Sequence, residues 1–517
     1  METAAENPGG SEVLRSERIA GGILPKVLNS FDMVAIFVAI VLFVSNAAVI
    51  ASGAGPAGYV YWILGFLTFL IPGAIVTGQL GLMFPGEGSI YVWTTKAFGS
   101  FMGFFGGFCA WWPGVLVMIA TGDAVVALIQ QLGTQINGSF AWLADPWEQG
   151  LVIVLVLAFS FFISVLRFRV TQNLVNTIFI AYGGAILLIG IAGLISVVGG
   201  HAAPVDYSAH KWGLNWGNAT FYATVILALL GIEVPLNMGV EVKQVRSITR
   251  YLIWGSVVVM VAYLLGTFGV MTAVPIADQG SPAAVAEAVS KGFGGAGFGT
   301  ILGILVNVIF IGFFIFNTAV YNYSFGRLLF VSGLDRRMPP VMSKVNKNRV
   351  PWVAVLVQSV IAAVFTAIAF ILAPLVIHTF KPADLSTIVY DILQAAVTVI
   401  WCVSMVVLFV DVIIIRYKFA EAFARVRLAP MWVFYLCAVI GAVATGWGVV
   451  ATFTNPWTTL LNESTWVTWI GGIAVLSLII GALLFFVGRA AARASDATSD
   501  EEIIAEVTGG TDVVIAD

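Results

Sequence analysis

The stretch "LALLGIEVPLNMGVEVK", residues 227–243, sets Gly231, Glu233 and Pro235 close together inside an apolar run. Pro235 has no N–H to donate, so the carbonyl of Gly231 loses its helical partner. Gly231 lets the chain leave helical geometry at little cost. Together they predict a short unwound piece between two half-helices. Its free N–H and C=O groups are tolerated at membrane depth only if buried in protein or lining a wet cavity. The N-terminus of the second half-helix suits an anionic group, and the carbonyls ending the first suit an ammonium or a metal cation. Glu233 has two readings. It caps the second half-helix, or it senses protons or faces a solute ammonium, since an intramembrane carboxylate is costly and marks a functional position.

A second break is expected at Ser45 and Asn46, within "AIFVAIVLFVSNAAVIASGAGPAG". Other polar positions read more plainly. Asp123 and Asp391 are expected to meet water or a helix end, and Asp411 and Arg416 to serve pairing or topology. Trp111, Trp112 and Pro113 pack helices or line a solute path. His201, His210 and His378 form no metal constellation, and Cys109, Cys402 and Cys437 read as small core residues. No metal and no cofactor is expected.

The elements that position these groups follow from composition. Of 517 residues, 60% are hydrophobic and 10% charged, against about 25% charged in a soluble chain. This predicts an all-α membrane protein. Twelve apolar segments fall near 32–54, 58–83, 99–127, 149–167, 173–199, 218–241, 251–274, 298–325, 351–374, 385–415, 431–453 and 466–488. Residues 1–31 form a polar N-terminal segment without the features of a cleavable signal. Residues 32–488 form the membrane domain. Residues 489–517, acidic and rich in small residues, are expected to be disordered. The N-terminus, the even-numbered loops and the tail hold 21 of 24 Lys and Arg residues; the odd-numbered loops hold Lys211, Lys291 and Lys381. Both termini are therefore expected in the cytoplasm and the chain in the plasma membrane. The densest basic loop, "GRLLFVSGLDRRMPPVMSKVNKNRVP", reads as topology and lipid headgroup contact.

Segments 1 and 6, the interrupted ones, lie five apart and so cross in opposite directions. Breaks at corresponding places in two halves point to a transporter built from inverted repeats. The solute site would lie between them.

Three longer stretches carry a resemblance. "GPAGYVYWILGFLTFLIPGAIVTGQLGLMFPGEGSIYVWTTKAFG" is similar to segment 2 and the following re-entrant loop of the amino acid–polyamine–organocation (APC) superfamily. "GIEVPLNMGVEVKQVRSITR" resembles its segment 6, and "YNYSFGRLLFVSGLDRRMPPVMSKVNKNRVPWVAV" its segment-8 end and basic loop. The resemblance implies a five-plus-five inverted-repeat (LeuT-type) fold with alternating access. The first repeat spans about 32–199 and the second about 218–415, with helices 11–12 in about 431–488. It implies a site where Ser45, Asn46 and Ala47 meet Gly231, Ile232 and Glu233, with Tyr321 as an aromatic gate. Two departures stand out. Segment 1 lacks the Gly-Ser-Gly break and is closer to the glutamate/GABA antiporter branch, and segment 5 lacks the Lys of some proton-coupled members.

The expected function is secondary active transport of an amino acid or related amine, by exchange or with H⁺. The partners are the solute, the coupling ion and the lipid bilayer, with no nucleic acid. A Na⁺-coupled symporter using segment-1 carbonyls and Ser324 is the alternative. An intramembrane aspartyl protease is a remote one, since "IATGD" has Ala120 where that motif needs Gly.

Overall fold

The computed structural model describes residues 13–138, 142–280, 284–295, 297–376, 382–458, 460–494 and 500–509. His378 and Lys381 lie outside the described residues. Among the described residues, eleven helices are long and apolar enough to cross a membrane, and one bent pair, Ser30–Val41 with Ser45–Ala54, makes the twelfth. We number these spans in chain order. Span 1 is that pair, bent by 42°. Spans 2 to 6 are Ala57–Met83, Ser100–Asn137, Pro146–Ser164, Phe168–Val198 and Thr220–Asn237. Spans 7 to 12 are Arg246–Ala273, Phe298–Leu334, Trp352–Leu375, Ile388–Lys418, Met431–Thr454 and Glu463–Gly488. The expected twelve-span, all-helical architecture is the one observed.

The two halves repeat each other with opposite direction. Spans 3 and 8, the longest crossings, are 38 and 37 residues and pack on one another. Short helices follow spans 2 and 7 at corresponding places, Ser89–Phe98 and Ala284–Gly292. Span 1 lies against span 6, span 2 against span 7, and span 4 against span 9. The first half of span 1 meets the end of span 6, and the second half of span 1 meets its beginning. This is the five-plus-five arrangement, with the broken helices side by side at the centre. Spans 3 and 6 are the most enclosed, and spans 9 and 12 the most lipid-facing.

Span 3 runs ten residues past 127, to Asn137, and two further departures from the sequence reading bear on the site and the tail. Span 8 runs nine residues past 325, to Leu334, so Arg327 is a buried residue of a span and not a loop cation. Its apolar neighbours Leu328, Leu329, Phe330 and Val331 keep the helix going. In the tail expected to be disordered, Asp500–Thr508 forms a helix. It buries Ile503 and Val507 and pairs Asp500 with Arg18 at 3.0 Å and Glu506 with Arg336 at 3.0 Å. An apolar stripe at i and i+4 gives this acidic segment a face to bury.

Candidate functional site

Span 1 breaks three residues before the expected point. Its first helix ends at Val41, the chain leaves the helix at Leu42 and Phe43, and the second helix begins at Ser45 with Val44 as its cap. Ser45, Asn46 and Ala47 therefore form the first turn of the second half, not the unwound piece. Span 6 is helical to Leu229. Leu230 is extended and Gly231 takes φ +104°, a left-handed conformation that favours glycine. A Cβ there would lie 2.3 Å from Cγ2 of Ile40 in span 1. Beyond it the chain makes two short 3₁₀ turns, Val234–Asn237 and Gly239–Glu241, in place of the expected second α-helical half. Pro235 sits in the first of them, where its missing donor and fixed φ are compatible.

Tyrosine hydroxyls from other spans satisfy the opened backbone. Tyr263 of span 7 lies within hydrogen-bond distance of the carbonyls of Val41 (2.7 Å) and Ala228 (3.0 Å), and accepts from the Phe43 N–H at 3.1 Å. Tyr182 of span 5 donates to the Leu42 carbonyl and accepts from the Val44 N–H. Tyr321 of span 8 donates to the Ile40 carbonyl at 2.7 Å, and Tyr251 of span 7 to the Ile232 carbonyl at 3.3 Å. One phenol thus bridges the two broken helices, and three more hold their ends. Without these bonds the groups would be stranded in a dry interior.

A small cavity lies at this junction, walled by Ile40, Phe43, Asn46, Leu230, Gln394 and Trp401 among others, with Tyr321 also on its wall. Its free volume is about 20 Å³, room for roughly one water. The site is shut in this conformation, and a solute needs the walls to move apart. A larger crevice of about 670 Å³ between spans 2, 6 and 11 is lined by residues such as Leu64, Tyr222, Val443 and Trp447. Its lining holds no charged group, so it suits lipid tails better than a polar solute.

Glu233 is buried. One carboxylate oxygen accepts from Nε1 of Trp401 at 2.9 Å, and Oε2 has no hydrogen-bond partner. It makes no side-chain cap on the 3₁₀ turn that follows. Trp401 stands between Glu233 and the cavity and packs edge-on against Phe325, which stacks on Tyr321. Of the residues predicted for the site, Asn46 and Tyr321 line the cavity. Ser45 is buried but does not line the cavity, while Ala47 packs towards Gly266. Gly231 and Ile232 shape the backbone, and Glu233 lies one indole ring behind the wall.

Sequence reading missed the three supporting tyrosines Tyr182, Tyr251 and Tyr263, and the wall residues Phe43, Gln394 and Trp401. Polar-tipped aromatics in mid-span were the available signal, since a buried phenol needs a partner. Asp123 is buried in the middle of span 3, not at the water or helix end expected, whereas Asp391, near the start of span 10, is only partly buried. Asp411 is buried and accepts from the Thr94 hydroxyl at 2.6 Å. Trp111 and Trp112 donate to Gln358 and Ser477, away from the cavity.

Residues 28–491 match the family model described as amino acid permease. The chain is similar to the probable agmatine/putrescine antiporter AguD of Lactococcus lactis, 23% identical over 64% of this chain and 69% of the relative. It is similar to a probable GABA permease of Pseudomonas aeruginosa, 25% identical over 69% of this chain and 74% of the relative. It is also similar to the polyamine transporter RMV1 of Arabidopsis thaliana, 23% identical over 77% and 75%.

Proposed function

This chain belongs to the amino acid permease family of the APC superfamily, and from that premise we propose which solute chemistry it takes and how. The chain is a secondary transporter of amino acids or amines, and the protease reading falls with family membership. We infer that the solute carries an ammonium group, bound where the carbonyl ends of span 1 and span 6 meet. The carrying observation is the buried carboxylate of Glu233, whose second oxygen has no partner. A dry carboxylate without a cation is unfavourable, and a bound ammonium or a proton relieves it. The named solutes of the three relatives all contain an amine, which supports the same chemistry here.

Exchange or H⁺ coupling fits the break better than Na⁺. The buried carboxylate of Glu233, with one oxygen unpaired, stands at the break to take a proton, while the carbonyls of Ile40, Val41 and Leu42 each accept one tyrosine bond and keep a second lone pair for the solute ammonium. One observation favours the Na⁺ reading: the buried hydroxyl of Ser324 is unbonded. We place both termini in the cytoplasm from the distribution of Lys and Arg, and the chain in the plasma membrane as fits a solute permease.

The test is a thermal-shift series on purified protein, followed by uptake into proteoliposomes. Agmatine, putrescine, GABA, glutamate and lysine are each added at rising concentration. At least one should raise the melting midpoint with concentration and then exchange across the vesicle or follow an imposed H⁺ gradient. If none shifts the midpoint while an amine-free organic anion does, the ammonium reading fails. Uptake driven by Na⁺ alone would select the second reading.

A further inference from the structure

At the membrane face that carries the N-terminus, three charged side chains are fully buried together. Arg327 of span 8 donates from Nη2 to Glu241 at 2.8 Å, and its Nε lies 3.4 Å from Glu87. All three side chains have no solvent exposure. Glu87 sits in the loop after span 2, Glu241 in the turn after span 6. Both lie outside the spans. Oε2 of Glu241 has no hydrogen-bond partner, and neither has Nε of Arg327.

This cluster closes the face. The Glu241 carbonyl accepts from the N–H groups of Val27 and Leu28, and the Lys243 N–H donates to the Leu28 carbonyl. The Gly88 N–H donates to Asn237, and the Val240 N–H to the Glu87 carboxylate. A Cβ on Gly239 would lie 2.2 Å from the Gly86 carbonyl oxygen, so the loop and the turn are in tight contact. Alternating access requires this face to open, and opening must part these three segments.

The charge count is the key. Two carboxylates and one guanidinium leave one negative charge uncompensated in a dry site. That arrangement is costly, and like carboxylates sharing a site do not both ionise. We propose that Glu87 and Glu241 share one proton across Arg327, and that this proton-binding triad latches the N-terminal face shut. Opening admits water, both carboxylates ionise, and the proton leaves to the same side.

The surroundings agree. Burial pushes Glu87 well above the usual carboxylate range; the Glu241 charge adds to this, and Arg327 and the Val240 N–H oppose it. Burial raises Glu241 as well, against the pull of Arg327. From span 5, Phe168 faces the guanidinium through its ring at 5.2 Å. From span 8, the Tyr323 hydroxyl feels Arg327, Asp32 and Glu241, and donates to Gln172. Asp32 of span 1 is itself paired with Arg169 at 2.6 Å, so it leaves the triad's balance unchanged. The sign follows. The shut form holds its proton to higher pH than the open, wet form, so acid favours the shut form and rising pH releases it.

The latch goes beyond the solute reading and needs only that this face opens, so its test uses no solute. Ser89 is buried beside the triad, bonded to Asn237. Ser89→Cys is made in a background where Cys109, Cys402 and Cys437 are Ala. Its labelling rate by a water-soluble thiol reagent is measured against pH and divided by the rate of free cysteine at each pH. The normalised rate should rise with pH, by at most about tenfold per unit, the limit for one proton. Adding Glu87→Gln or Glu241→Gln leaves one carboxylate to one guanidinium, and each should give a slow, flat profile. Glu241→Asp keeps the titration and should move its midpoint. A flat profile in the Ser89→Cys protein, or Gln variants that keep its slope, overturns the latch. Should the Gln variants fail to fold, an unmoved midpoint in Glu241→Asp overturns it.

Discussion

Glu233 and its neighbours define what single residues do here. The carboxylate makes one bond, to Trp401. Glu233→Gln keeps the size of the side chain and an acceptor for the indole. If Glu233 carries a proton, this variant should lose the part of the pH dependence of transport that Glu233 sets, leaving the part set by Glu87 and Glu241, while its melting midpoint stays near that of the unsubstituted protein. Uptake measured from acid to neutral pH checks it. Glu233→Leu leaves the Trp401 N–H buried without an acceptor, a cost of about 1–3 kcal/mol, and should lower the midpoint. The intramembrane Glu was legible in sequence because a charge amid apolar residues stands out. Trp401 was not, because its i+4 and i+8 neighbours are apolar and nothing local shows which acceptor its N–H will meet.

The broken helices are where element-scale physics decides. Tyr263 serves three backbone groups across two breaks. Tyr263→Phe should cost about 1–3 kcal/mol for an acceptor left dry, read as a clear fall in the melting midpoint. Tyr251→Phe, with one bond of 3.3 Å, should cost less. Gly231→Ala meets two penalties, a left-handed φ costing about 1–3 kcal/mol and a collision with Ile40. Pairing it with Ile40→Ala removes the collision and not the φ, so the double variant should recover part of the lost stability. That a break exists was legible from Gly231 and Pro235. Its form was not. The exit of span 6 becomes 3₁₀ turns because it must fold tightly against Gly86 and Leu28, which are distant in sequence.

At the scale of the whole molecule, the terminal segments join the N-terminal face to the bundle. Ser16 donates twice to Asp335, Lys96 pairs with Glu17 at 2.8 Å, and helix 500–508 packs on the N-terminal helix that carries Ser16 and Glu17. Truncation after Ala494 removes two buried side chains, Ile503 and Val507. Each is worth at most about 1.5–3 kcal/mol; the exposed Arg18–Asp500 pair lost with them adds little, and the loss of Glu506 takes the partner of the buried Arg336. A modest drop in the melting midpoint is the expected result. By itself the sequence determined the membrane class, the span count, the pairing of breaks in segments 1 and 6, and the family. These follow from apolar run length, from Gly and Pro, and from motifs local in the chain. Only the tertiary structure decided which groups close the breaks, and that Arg327, counted with a basic loop, is the centre of a buried acid pair. Those facts join residues as far as 281 positions apart, as Ile40 and Tyr321 are, and hydropathy along one chain holds no record of which distant side chains meet.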